Sequence, residues 1–295
     1  MRILKSMIVL IIFLASIGFI AFNENNVESS ESNSYFYNGK ENLHCLYYDE
    51  KDFVNIKNFE VKDGLGSIQG CILPHHLTAV DMIHEVFQNV SRHKYEMVVL
   101  IGPDHESIQK GKIFTTLKDW QTPMGILETD REITSKLLEN SFVLENDDKL
   151  TIEHSISGIV PFIKHYLDDA KVVSLALTKQ TKLEDVDALI EDISENIDKE
   201  KTLFIASVDF SHYLDLESAN EMDLISIDAI EKRNINKIMS FTNDNLDSPV
   251  SIATILKIMD KLNAENTFLL NRSNTELIVK TKNKETTSYL TYLFY

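Results

Sequence analysis

At 295 residues with an apolar share of 43%, the chain has material for one large α/β domain or two small ones, and its composition excludes disorder throughout. A formal charge of -17 at pH 7, with no basic stripe to offset it, excludes nucleic-acid phosphates as a partner. With nine glycines and no G-x-S-x-G elbow, Walker loop or dinucleotide G-x-G-x-x-G, a serine hydrolase or nucleotide enzyme would lack its central piece.

The chain opens with Arg2 and Lys5, continues in an uncharged apolar run over residues 7–22, and leaves it through a polar stretch. That order predicts a signal peptide or N-terminal membrane anchor over residues 1–22. The run has no polar face, which argues against a core helix. Residues 23–38, rich in Asn, Ser and Glu, read as a flexible linker. The folded part is expected over residues 39–295, outside the cytoplasm, either secreted or held to the cytoplasmic membrane by the N-terminal segment. Two cysteines occur, Cys45 and Cys71. After export they would form one disulfide or stay a buried unpaired pair, and Cys71, on the face of Leu73, is a further site candidate.

Residues 68–73, 97–101 and 203–208 are apolar, β-rich runs. Each stops in a histidine-bearing loop: Pro74-His75-His76, Gly102-Pro103-Asp104-His105 and Asp209-Phe210-Ser211-His212. Apolar positions at helical spacing predict helices over 77–93, 130–140, 183–197 and 251–262, with further strands over 171–177, 202–207, 267–270 and 288–294. The alternation predicts a single α/β domain whose mostly parallel central sheet is covered by helices. Ligands of such sheets gather beyond the carboxyl ends of the strands, so histidines distant in sequence should meet in one crevice.

His75, His76, His105 and His212 lie at strand ends, and His154 stands in Glu153-His154-Ser155 just before a helix. Imidazole is the commonest metal ligand and titrates near neutrality, so the cluster points to a metal or acid/base site. His44, His84, His93 and His165 fall elsewhere and read as structural. Two histidines and one carboxylate form the facial arrangement that leaves positions open on a non-haem iron. Asp209, Asp104 and Glu153 are the carboxylates at hand. The favoured role for Asp209 is instead to accept a histidine N–H, orienting the ring and raising its basicity. Thr122-Pro123-Met124-Gly125 reads as a turn that helps wall the crevice.

Taken in order, Leu73-Pro74-His75, Gly102-Pro103-Asp104-His105, Thr122-Pro123-Met124-Gly125, Glu153-His154-Ser155-Ile156, Val208-Asp209-Phe210-Ser211-His212-Tyr213 and Asp247-Ser248-Pro249-Val250 resemble the MEMO-like family. This is the AmmeMemoRadiSam system protein B of bacteria and archaea, with the fold of class III extradiol dioxygenases. The resemblance runs from about Gly66 to the C terminus. It implies one transition-metal ion, iron, copper or zinc, in a pocket of two histidines and a cysteine. His75 and His105 match the histidine ligands, and His154, Asp209 and His212 the neighbouring polar positions, where they would serve as catalytic groups. The implied activity is that of a metal-dependent oxidoreductase of dioxygenase type; the alternative is a non-catalytic scaffold, with a vestigial site, for a small-molecule ligand or a protein partner. Asn245-Leu246 stands where the family usually has Cys-Gly, and an amide is a harder donor than a thiolate. Asn245, His76 and Glu106 are therefore the candidates for a third ligand. The radical S-adenosylmethionine partner implied by the family name would work in the cytoplasm, at odds with export.

Overall fold

The apolar runs become neighbouring strands in the computed structural model of the protein, which describes residues 42–106, 109–282 and 285–295. The predicted signal or anchor over residues 1–22, the linker over 23–38 and the first residues of the expected folded part lie outside the described residues. The strands are β1 (Leu43–His44), β2 (Gly70–Leu73), β3 (Met97–Pro103), β4 (Ile113–Thr115), β5 (Trp120–Thr122), β6 (Gly125–Leu127), β7 (Val143–Glu145), β8 (Lys171–Leu177), β9 (Thr202–Ser207), β10 (Thr267–Asn274) and β11 (Ser288–Phe294). Eight of them form one sheet in the order β10-β11-β2-β9-β3-β8-β4-β7, and β1-β5-β6 form a second. At the centre of the large sheet β2, β9, β3 and β8 are all parallel. The β10, β11 side and the β8 to β4 junction are antiparallel.

Register decides where the site can form. Leu73 pairs with Ser207, and Ile101 pairs with Ala206, so β2, β9 and β3 end almost level. The chain then leaves three adjacent strand ends as His75, Asp209 and Asp104-His105. The predicted convergence is a consequence of this pairing.

Every residue of β2, β3 and β9 is buried, because helices cover both faces. Side chains of a strand alternate between faces. Val99, Ile101, Phe204 and Ala206 accordingly pack with helices Leu183–Glu195 and Pro249–Leu262, while Val98, Leu100, Leu203 and Ile205 pack with helices Val80–Val90 and Val160–Tyr166. Cys71 belongs to the second cluster beside Leu73. Cys45 and Cys71 are both buried free thiols, which corrects the disulfide alternative and makes Cys71 a core residue. Burial pushes both thiols upward, Cys45 to about 12, so neither is a ready nucleophile.

Helix Pro249–Leu262 starts two residues before the expected position. Ser248 caps it by accepting from the Ser251 N–H, and Pro249 fits the first turn, where no N–H is needed. The 16-residue helix Leu216–Glu231 has no counterpart in the sequence reading. Its buried positions are Ala219, Asp223, Ser226, Ala229 and Ile230, so the inner face carries little hydrophobic periodicity. Strand β10 runs past the expected residue 270 because a register shift between Leu269 and Asn271 lets pairing resume. Among the described residues no helix is long and apolar enough to cross a membrane.

Candidate metal centre

His75, just beyond β2, is held on both sides. Its backbone N–H donates to Asp209 Oδ1 at 3.1 Å, and its ring Nδ1 lies 3.3 Å from Ser207 Oγ. The other ring nitrogen, Nε2, faces Asp247 Oδ2 at 3.2 Å and Asp209 Oδ2 at 3.7 Å. His105, beyond β3, is gripped by Glu153. Its backbone N–H donates to Glu153 Oε2 at 2.9 Å, and Nδ1 lies 2.8 Å from Oε1. This leaves His105 Nε2 directed inward, 3.6 Å from the same Asp247 oxygen. A carboxylate behind a ring fixes its tautomer and raises its basicity, the usual support of a metal-bound histidine.

Glu153 reaches this position because it caps the short helix His154–Ser157, accepting from the Ser155 N–H at 2.9 Å. That helix rests directly on β3, where Ser155 Oγ donates to the Pro103 carbonyl at 3.0 Å. Gly102 makes the approach possible. A Cβ there would sit 2.4 Å from Ser155 Oγ and 3.1 Å from Ile156 Cδ1. Gly102→Ala should therefore push the helix off the strand and lower stability by ~1–3 kcal/mol, the range for overpacking. An unchanged unfolding midpoint would show that the helix slides without resistance.

His154 follows Glu153, and its ring stacks on His105 with centroids 4.3 Å apart and planes 25° apart. It meets His75 edge-on at 4.8 Å, and Tyr47 covers its outer side at 5.7 Å. Nitrogen atoms of His75, His105 and His154 all fall within 4.8 Å of one another. His212 joins from β9, its backbone N–H donating to the Asn243 carbonyl at 3.0 Å. Its ring senses Asp247, Asp209, His75 and His105, and its Nδ1 is buried without a hydrogen-bond partner among the described residues.

Asp247 is the residue that sequence reasoning missed. An antiparallel bridge between Phe210 and Leu246 lays its segment along Asp209, whose carbonyl accepts from the Asp247 N–H at 3.1 Å. The Asp247 carboxylate is thereby buried, with Oδ2 toward both inward ring nitrogens and Oδ1 lacking any hydrogen-bond partner among the described residues. Its motif reads as the entry to a helix, and the signal available was an acid next to a capping serine at the carboxyl edge of a parallel sheet.

The charges divide the imidazoles into two kinds. Burial lowers the His105 proton affinity, but hydrogen bonds to Asp247 and Glu153 outweigh it and hold the ring at about 10. His75 is also raised, as Asp209 and Asp247 overcome its burial. Burial works against both acids too, yet the His105 contacts bring Glu153 down to about 2, and His105 and His75 hold Asp247 well below the usual carboxylate range. Burial and the neighbouring charges of His75 and His105 push His154 down to about 4. Burial likewise lowers His212. At neutral pH the pocket thus holds a cationic His105 on buried acids and a neutral His154 stacked against it, with His75 shifted toward its charged form and His212 away from it.

The other predicted residues have partners of their own. His76 Nδ1 lies 2.6 Å from the Tyr289 hydroxyl and its Nε2 lies 3.3 Å from Thr78 Oγ1. Glu106 accepts from Lys149 Nζ at 3.3 Å, and the same ammonium reaches Asp104 at 3.0 Å. Asn245 turns its amide nitrogen toward Met222 Sδ at 3.7 Å. Thr122-Pro123-Met124-Gly125 is the β5 to β6 hairpin of the small sheet, closed by Thr122 Oγ1 donating to the Gly125 carbonyl.

These features define an α/β protein with a pocket of histidines and carboxylates at the carboxyl edge of a mostly parallel sheet. The family model described as Memo-like protein matches residues 50–293, and the chain belongs to that family, as its ordered motifs implied. Among curated relatives, a MEMO1 family protein of Methanococcus maripaludis strain C6 is 31% identical over 196 residues, 62% of this chain and 67% of the relative. One from Saccharolobus islandicus strain Y.G.57.14 is 30% identical over 154 residues, covering 50% of this chain and 54% of the relative, so the chain spans about half the length of that protein. The crystal structure of an uncharacterized protein, JW3007 from Escherichia coli K12, aligns with 76% of this chain and 99% of its own at 12% identity and a TM-score of 0.48.

Proposed function

We propose that the pocket binds one transition-metal ion through His75 and His105, and that the chain is a metal-dependent oxidoreductase of dioxygenase type. One observation carries the reading: the two rings stand nearly perpendicular, 83° apart with centroids at 5.2 Å, each anchored at Nδ1 with Nε2 directed inward at Asp247. The fit of a cation rests on the buried, unpartnered Asp247 Oδ1 and His212 Nδ1, which a cation and its own ligands would satisfy. Bound there, a metal would supply Lewis-acid and redox chemistry that no side chain of the pocket supplies. His154 and His212, held neutral, accept or return protons, and Asp209 fixes the His75 main chain. A cavity of about 420 Å³, bordered by Met239, Phe241 and Leu246, adjoins the site at Asp247.

A second reading has its own observation. The His75–Asp247 and His105–Glu153 pairs compensate one another's charge without a metal, as a vestigial, non-catalytic scaffold would require. Metal analysis of the full chain, purified anaerobically and aerobically, separates the two, followed by oxygen-uptake assays of the iron-loaded protein with catechols. Absence of metal at every loading would remove the first reading, and metal without uptake would leave a binding protein.

A further inference from the structure

We infer that Asp247 supplies the third protein ligand, a carboxylate in place of the thiolate that the family resemblance implies, so that the pocket favours iron(II), manganese(II) or cobalt(II) over copper(I). The inference rests on the metal reading above and identifies the donor set of the same site.

His154 is the obvious competitor, since its nitrogen lies close to the other two. Its plane keeps it from sharing an ion with His105, although its ring stands at 85° to that of His75. A metal bound by imidazole lies in the ring plane about 2.0–2.1 Å from nitrogen. The planes of His105 and His154 are only 25° apart with centroids at 4.3 Å, so they meet well beyond both rings. The planes of His75 and His105, at 83°, cross close by. Asn245, His76 and Glu106 are turned to Met222, Tyr289 and Lys149. Asp209 spends one oxygen on the His75 backbone.

Asp247 alone among the described carboxylates is paired with the inward Nε2 of both His75 and His105, at 3.2 and 3.6 Å. Its second oxygen is buried and unpartnered. Two imidazoles and one carboxylate are hard and borderline donors, which suit iron(II), manganese(II) and cobalt(II), whereas copper(I) selects thiolate and thioether.

Cobalt(II) chloride, titrated into the full-length chain and followed by absorption and X-ray absorption at the cobalt edge, tests this. Two imidazoles in the inner shell are expected; three would overturn the inference in favour of His154. Asp247→Asn should weaken cobalt binding beyond the ~10–100-fold that loss of an outer supporting residue produces. Asp247→Cys should give a near-ultraviolet thiolate-to-cobalt band and raise copper(I) affinity, while Asn245→Cys should give no band. A band from Asn245→Cys instead, or unchanged cobalt affinity in folded Asp247→Asn, would overturn it. If Asp247→Asn fails to fold, the wild-type imidazole count and Asn245→Cys still decide. The two readings fail separately: cobalt binding lost in His105→Ala yet intact in Asp247→Asn sinks only this inference, whereas a wild-type chain that binds no divalent ion sinks the metal reading.

Discussion

His75→Ala and His105→Ala are expected to lose metal binding alike but to differ sharply in stability. His75 is 4% exposed and its Nε2 is the near cationic partner of Asp247 and Asp209, both themselves buried. Removing the ring takes the nearest cation from two buried carboxylates, leaving Asp209 the backbone N–H and Asp247 only His105 at 3.6 Å, and breaking a buried pair from one side costs ~3–5 kcal/mol. Loss of the ring volume adds to this. His105 is about a third exposed at its side chain, and Glu153 keeps the His105 and Ser155 backbone donors when the ring is gone. Measured at pH 9, where most of the cationic ring's contribution has already gone, His105→Ala should therefore unfold nearer to wild type, by ~1 kcal/mol, the scale of one net hydrogen bond. Elemental analysis and denaturant titration of both variants measure the contrast. Equal stability would mean that His75 does not hold the two aspartates.

The contrast also shows what the sequence could and could not convey. Apolar runs ending in histidine loops were enough to foresee buried parallel strands with their histidines at one edge of the sheet, because strands covered on both faces read as continuous apolar runs, whereas strand order and the level register came only with the structure. His76 illustrates the limit. It looks equivalent to His75 in the sequence, yet neighbours at a strand end point to opposite sides, and His76 turns to Tyr289. Asp247 lay hidden for another reason: its place depends on the bridge between Phe210 and Leu246, a pairing of two irregular segments with no periodic signal. Helix Leu216–Glu231 was illegible because its inner face packs small and polar residues, with Asp223 bound to Ser211 and Arg272 rather than sunk in a hydrophobic seam.

Metal-free protein should be most stable near pH 6.5 and become less stable on both sides, while metal affinity climbs steadily with pH. His105 is held at about 10 in the fold against 6.5 in an unfolded chain. Between those values the folded state binds the extra proton, so stability falls as pH rises from ~6.5 through about 10. The loss over that span is on the order of 3 kcal/mol after solvent screening of a partly exposed ring. On the acid side the sign reverses. His154 is lowered to about 4, so between pH 4 and 6.5 the unfolded chain binds the extra proton and stability falls as pH drops. Glu153, lowered from 4.5 to about 2, continues the decline below pH 4.5. A metal ion requires neutral rings and competes with the protons on His75 and His105. Raising pH from 6 to 9 thus weakens the proton's competition and erodes the apo-state stabilisation together. The thermal gap between cobalt-loaded and metal-free protein should widen over that range, with proton release on binding shrinking as pH approaches 10. Calorimetric titrations in buffers of different ionisation enthalpy measure both quantities. A cobalt affinity that is flat from pH 6 to 9 would mean that the protonated rings are not the ligands.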